Sequence, residues 1–137
     1  MKGLIDGIVN ILKELYPDYD IMVRYGERTI RVVKPTIIVG VSDSTYKPYT
    51  LGYQHMVEEN IIQIRFIYTV GKDVLIQFEK AQGDLAKLIN RIRISPFIGE
   101  YILTLLQSGT YRDMLENPGM VIVLCELMAM RIIPKQN

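Results

Sequence analysis

Reactive side chains are scarce in this sequence: one histidine, His55, and one cysteine, Cys125, in 137 residues. A lone cysteine excludes a disulfide within the chain and any zinc site built on paired cysteines. A lone histidine cannot supply a histidine-rich metal site. Cys125 lies in the apolar run MVIVLCELMAM, the setting of a buried, inert thiol. A catalytic thiol there would need a histidine partner, and only His55 is available. Gly-rich phosphate loops are missing in both common forms, as is H-E-x-x-H. Ser42, Asp43, Ser44 and His55 share one segment, so the residue types of a serine triad are present, but no G-x-S-x-G elbow accompanies them. Glu58 and Glu59 are the only adjacent acidic pair. At strand period they point to opposite faces and do not converge on one ion, so they read as solvated charges at a strand start. Little is left for an enzyme to work with, and neither a cofactor nor a metal is expected.

Charge of one sign is also lacking. The formal net charge is +1, which creates no long-range field to gather nucleic acid or acidic substrates. Basic residues cluster only in short pairs such as Arg91 and Arg93, so specific nucleic-acid binding is not expected. No apolar run approaches the roughly twenty residues that span a bilayer. The opening MKGLIDGIVNILKEL is interrupted by Asp6 and Glu14 and lacks a small-residue cleavage site, unlike a signal peptide. A soluble protein made in a cytoplasm is the expectation. With 49% apolar and 23% charged residues the composition is ordinary for a globular protein, and the length suits one domain over 1–137.

What is present is alternation and amphipathicity. Leu4, Ile5, Ile8, Ile11, Leu12 and Leu15 recur at three- and four-residue spacing, which predicts a helix over 3–15 that Pro17 and Asp18 end. Ile21, Val23 and Tyr25 alternate with Met22 and Arg24 as in a half-buried strand, YGERT reads as a turn, and TIRVV and TIIVGV are β-branched and strand-like. In NIIQIRFIYTV, residues Ile62, Ile64, Phe66, Tyr68 and Val70 form a core face. The opposite face is mixed, with Gln63, Arg65, Ile67 and Thr69 on it, and is suited to partial cover or to a partner. Asp73 is placed to cap a helix over 73–92. Its apolar stripe runs through Leu75, Phe78, Gln82, Leu85, Ile89 and Ile92, with Val74, Ala81 and Leu88 beside it. Ser95-Pro96 could open a further helix, while YILTLL reads as a strand near 101–107 and the residues after the ENPG turn as a closing strand. The order α, β, β, loop, β, α, β, β predicts an α+β fold: a single antiparallel or mixed β-sheet with two helices packed on one face.

Between two of these strands, SDSTYKPYTLGYQHMVEEN (Ser42 to Asn60) shows neither period and reads as a long loop. Loops of this length in compact domains are usually functional or disordered. It carries Tyr46, Tyr49 and Tyr53 at spacings that Pro48 and Gly52 keep from forming a helix. Tyrosine combines a large contact area with a polar tip and is enriched at interfaces. Lys47 alone is too little charge to hold a phosphate backbone. The segment is therefore either a surface loop with its rings folded back on the sheet or a protein-binding arm. Under the second reading the contact residues are Tyr46, Lys47, Tyr49, Tyr53 and His55, together with Arg65 on the mixed sheet face.

The order of elements resembles that of the tail terminator proteins of long-tailed bacteriophages and related contractile particles. An amphipathic helix ends in ELYPDYDIMV, similar to that family's L-x-x-x-F/Y-P followed by a strand. KPTIIVGV, the loop, ENIIQIRFIYTV, the helix DVLIQFEKAQGDLAKLINRI and the closing NPGMVIVLCELMAMRI follow in the same order. The resemblance is one of pattern and covers nearly the whole chain. It departs at SPFIGEYILTLLQSGTYRDML, which leaves head-completion and tail-completion connectors open as neighbouring classes. It implies a homohexameric ring at the head-proximal end of a tail tube. The implied partners are further copies of the chain, the tail tube protein, a head–tail connector or neck protein and, in contractile systems, the sheath protein. The implied place is the tail–neck junction of a virion or tail-like particle, assembled in the bacterial host cytoplasm.

Overall fold

The computed structural model describes residues 2–24, 34–48, 55–68, 73–112 and 120–134. Helix α1 (Lys2–Leu15) leads into strand β1 (Asp20–Val23), followed by β2 (Thr36–Pro48) and β3 (His55–Ile67). Helix α2 (Val74–Ile94) comes next, then β4 (Phe97–Ile98), β5 (Tyr101–Arg112) and β6 (Val121–Pro134). The six strands form one sheet in the order β1-β2-β3-β6-β5-β4. Only β1 and β2 pair in parallel. The chain after α2 thus crosses to the far side of the sheet, and β6 returns to fill the centre between β3 and β5. The result is the expected mixed α+β sheet with two helices.

Alternation decides the faces. On β3, Ile62, Ile64 and Phe66 are buried, and on β6 so are Val121, Val123, Cys125, Leu127 and Ala129. Their registers match, Ile62 opposite Leu127 and Ile64 opposite Cys125, so both rows point to one side. Leu4, Ile8 and Leu12 of α1 and Ala81, Leu88 and Ile92 of α2 close over that side in a single core. On the other side Ile38, Ile67 and Met120 form a small second cluster, with Ile122 packed against it, while Gln63 and Arg65 are half-buried. The mixed second face expected of β3 is therefore present; Thr69 and Val70 lie outside the described residues.

Several details differ from the sequence reading. The predicted loop over 42–60 is mostly strand: β2 continues to Pro48 and β3 begins at His55, paired from Lys47 opposite Val57 back to Asp43 opposite Ile61. Every residue from Ser42 to Pro48 is exposed. A strand that buries neither face has no reason to alternate, which is why no period-2 pattern marks it. A register shift between Val41 and Asp43 further breaks the pattern, because a bulge carries the following side chains to the other face. The stripe on α2 is also rotated. Its buried residues are Ala81, Asp84, Leu88 and Ile92, while Leu75 is exposed. A polar residue, Asp84, sits at the centre of the buried face, and a hydrophobic stripe cannot reveal that. Ser95 does not open a helix but ends α2, its N–H donating to the Arg91 carbonyl at 3.0 Å. β5 is longer than expected, and Gly99, at φ +57°, takes the left-handed turn conformation before it that glycine adopts without a Cβ penalty. The strand and turn expected over 25–33 lie outside the described residues.

Candidate functional site

The distal part of β2 forms an edge arm along the first half of β3, which β6 pairs on its other side, and the arm's root is built on a buried carboxylate. Glu58 stands directly between Tyr46 on β2 and Arg131 on β6 in the strand registers and is 3% exposed. Its Oε1 accepts from Arg131 Nη2 at 3.0 Å and from the Tyr46 hydroxyl at 3.2 Å. Its Oε2 accepts from the Tyr101 hydroxyl at 2.5 Å and from Asn60 Nδ2 at 2.9 Å. The Ser44 hydroxyl donates in turn to Asn60 Oδ1, and the Arg131 guanidinium lies over the Tyr101 ring at 4.8 Å. Burial alone would raise the Glu58 pKa. Hydrogen bonds from Tyr101, Asn60 and Arg131, with the charge of Arg131, outweigh it and lower the value to about 2. The same pairing raises Arg131, and burial with the adjacent carboxylate pushes Tyr101 up to about 12. With four donors on two oxygens, Glu58 is a charged tie of β3 to β2, β5 and β6 and is badly suited to exchange protons. The expectation that Glu58 is a solvated strand-start charge is thus corrected. Glu59 does face the other way, where Lys47 pairs with it at 3.3 Å.

A second buried carboxylate fastens α2 to the sheet. Asp84 Oδ2 accepts from the Tyr19 hydroxyl at 2.5 Å and the Tyr68 hydroxyl at 2.6 Å. The Tyr16 hydroxyl donates to the Asp84 main-chain oxygen at 2.5 Å. The rings also pack together: Tyr16 stacks on Tyr19 at 5.6 Å and meets Phe66 edge-on at 5.0 Å. Lys80 and Lys87 cover Tyr19 and Tyr16 from α2 at 5.3 and 6.0 Å. Burial first, then the Asp84 charge, raises the pKa of Tyr16, and burial with the Asp84 hydrogen bond does the same to Tyr19 and Tyr68. Sequence reasoning missed both centres. The available signal was the excess of tyrosine over tryptophan and phenylalanine, nine against none and three, since a buried phenol must find an acceptor.

The structure separates the groups that a hydrolase would need. Ser44 faces Asn60, five residues along β3 from His55, or about 17 Å at a strand's usual rise. Asp43 is one rung further away. Cys125 faces Ile64 in the middle of the sheet, and burial with the Glu126 charge pushes its thiol up to about 12, the opposite of thiol activation. Among the described residues no group of three or more metal-ligating side chains converges, and no helix is long and apolar enough to cross a membrane.

Of the residues expected to make contacts, Tyr46 and Lys47 project from the arm on β2, with Tyr46 59% exposed. His55 is half-buried at the start of β3, opposite Pro134. Arg65 lies on the open sheet face, well away from these three. Tyr49 and Tyr53 lie outside the described residues. Tyr46 and Lys47 thus stand on opposite faces of the distal part of β2, Tyr46 with Glu58 and Lys47 with Glu59, and Arg65 lies further along β3. No protein-family model matches the chain, and no curated protein matches it.

Proposed function

We propose that this chain is a structural assembly subunit acting as tail terminators act: a homohexameric ring that caps the head-proximal end of a phage-type tail tube. One ring face would copy the tube's own subunit contacts and the other would not, so tube growth ends and a docking face for the connector or neck protein is left. In a contractile particle the same ring would meet the last sheath ring. The place of action is the tail–neck junction, after assembly in the bacterial host cytoplasm, and the chain is not an enzyme.

The observation that supports this best is the arm. Ser42–Pro48 is exposed throughout, has β3 as its only strand neighbour among the described residues, and is tied at its root to β3, β5 and β6 through Glu58. A stiff, pre-ordered arm loses little conformational entropy on docking, and Tyr46 at its surface offers the contact area that interfaces favour. A net charge near zero keeps identical subunits from repelling one another in a ring.

Native mass measurement tests the reading. A hexamer that binds preformed tail tubes and halts their extension is expected. A protein that stays monomeric at all concentrations and in the presence of tubes would refute it. A ring that binds a portal or neck assembly but not tubes would point instead to a head-completion or tail-completion connector.

A further inference from the structure

The open face of the sheet holds a cavity of about 360 Å³ whose wall includes Arg24, Arg65, Gln63 and Ser42. Four arginines with described side chains are half-buried: Arg24, Arg65, Arg91 and Arg131. Arg91 donates to the Ser95 carbonyl and Arg131 to Glu58. The other two have no acceptor among the described residues, and both line this one cavity. A partly desolvated guanidinium without an acceptor is costly, and two of them facing one space make that space attractive to an anion. The cross-strand neighbours of Arg65 are Ile38 and Leu124, so neither strand beside it offers a directly opposed carboxylate. Glu126, opposite Gln63 on that face, is engaged by it at 3.4 Å.

The position of Arg24 is built in. Its N–H donates to the Val39 carbonyl at 2.9 Å, which lays the chain after β1 directly over Gly40. A Cβ on residue 40 would come within 2.7 Å of the Arg24 carbonyl oxygen, a distance that backbone cannot tolerate without moving. Glycine at this point lets Arg24 approach the cavity from the β1 side while Arg65 approaches from β3. Between them on this face lies Ile38, directly opposite Arg65.

We propose that this cavity is a carboxylate-binding site, taking a carboxylate on a short aliphatic stem: its oxygens between the Arg24 and Arg65 guanidiniums, its carbons on Ile38. The stem chemistry fits either a free small dicarboxylic acid or an acidic side chain borne by a second copy of the chain. The proposal does not depend on the ring reading, because the site would bind whether or not a ring forms.

Glutarate and inorganic phosphate, titrated into uniformly ¹⁵N-labelled full-length protein, test it. Glutarate is expected to shift the Arg65 Nε–H, the Gln63 side-chain amide and the Ser42 amide along one saturable curve with a Kd of about 1 mM, and phosphate to bind more weakly. Arg65→Gln should weaken glutarate binding about tenfold or more, as expected for a lost charge-assisted bond. Arg65→Lys should recover part of the loss, since it restores charge without the fork. Gly40→Ala should weaken binding with Arg65 intact, by displacing Arg24. Sedimentation velocity then separates the sources. Dissociation of self-associated protein by glutarate, absent in Arg65→Gln, assigns the carboxylate to a second copy, and unchanged association assigns it to a free acid. The proposal is overturned if no saturable shift occurs at these residues, if Arg65→Gln binds glutarate as well as the parent, or if phosphate binds the more tightly.

Discussion

Tyr101 on β5 reaches across β6 to donate its hydroxyl hydrogen to Glu58 on β3 at 2.5 Å. The two residues are 43 positions apart in the chain and belong to strands that do not touch. The bond locks the root of the arm to the far half of the sheet, because Arg131 on the intervening strand completes the same site. Function on the proposed reading depends on that stiffness, so the Glu58 site is where stability and assembly meet.

Acid should therefore loosen the arm. The folded-state pKa of Glu58 lies at about 2, below its ordinary 4.5, so its ionisation stabilises the fold fully above the ordinary value. That stabilisation is lost as pH falls from there through the folded value. Its size is on the order of 3 kcal/mol. Urea titrations of wild type and Glu58→Gln should show wild type losing stability over this window, with the variant already weaker by about 2–4 kcal/mol at neutral pH and flatter below it. Equal slopes for the two proteins would place the acid sensitivity elsewhere.

Tyr101→Phe keeps the ring under Arg131 and removes one donor. A cost of about 1.5–3 kcal/mol is expected, since the acceptor is charged and buried. Glu58 should also protonate at a higher pH, moving the acid-unfolding midpoint upward. Circular dichroism across an acid series checks both effects, and an unmoved midpoint would mean that Asn60 and Arg131 alone hold the charge.

At the other carboxylate, Asp84→Ala leaves the Tyr19 and Tyr68 hydroxyls without their acceptor. About 2–4 kcal/mol of destabilisation is expected, with α2 the element released. Hydrogen exchange would locate the loss in α2. The alkaline behaviour of wild type follows from the same site. The phenols of Tyr16, Tyr19 and Tyr68 are raised above their ordinary 10.0, so stability is complete below that value and falls as pH rises above it. Absorbance near 295 nm should show these three ionising only on unfolding.

On the arm itself, Tyr46→Ala combined with Tyr49→Ala and Tyr53→Ala removes the Tyr46 hydrogen bond to the charged Glu58, a loss of about 1.5 kcal/mol in the unfolding free energy from urea titration. It should nevertheless abolish ring formation or tube binding in sedimentation velocity. Unchanged assembly would remove the arm from the interface.

Much of this architecture was legible without coordinates, and for identifiable reasons. β3 and β6 bury one face and leave the other in mixed surroundings, so Ile62, Ile64 and Phe66 announce a strand. α1 lies on the core by one stripe, and Leu4, Ile8 and Leu12 announce a helix. Asp73 caps α2 as its position implied, its side chain accepting from the Ile76 N–H at 3.2 Å. The distal half of β2 was illegible, because both of its faces meet water and its partner is chosen by the ladder alone. The two carboxylate sites were illegible as well. Nothing near Glu58 in the chain indicates Tyr101 or Arg131, and nothing near Asp84 indicates Tyr19.

By itself the sequence determined the kind of fold: one amphipathic side per element, enough apolar surface for one core, and a single histidine and cysteine, too few for a histidine-rich or paired-cysteine metal site. These are local or additive properties, carried by spacing and count. Tertiary structure decided which charges are buried, which tyrosines satisfy them, that Ser42 to Pro48 is a braced strand, and that Arg24 and Arg65 face one cavity. Those are pairings between distant residues. They exist only once the crossover of α2 and the insertion of β6 have brought the far ends of the chain together.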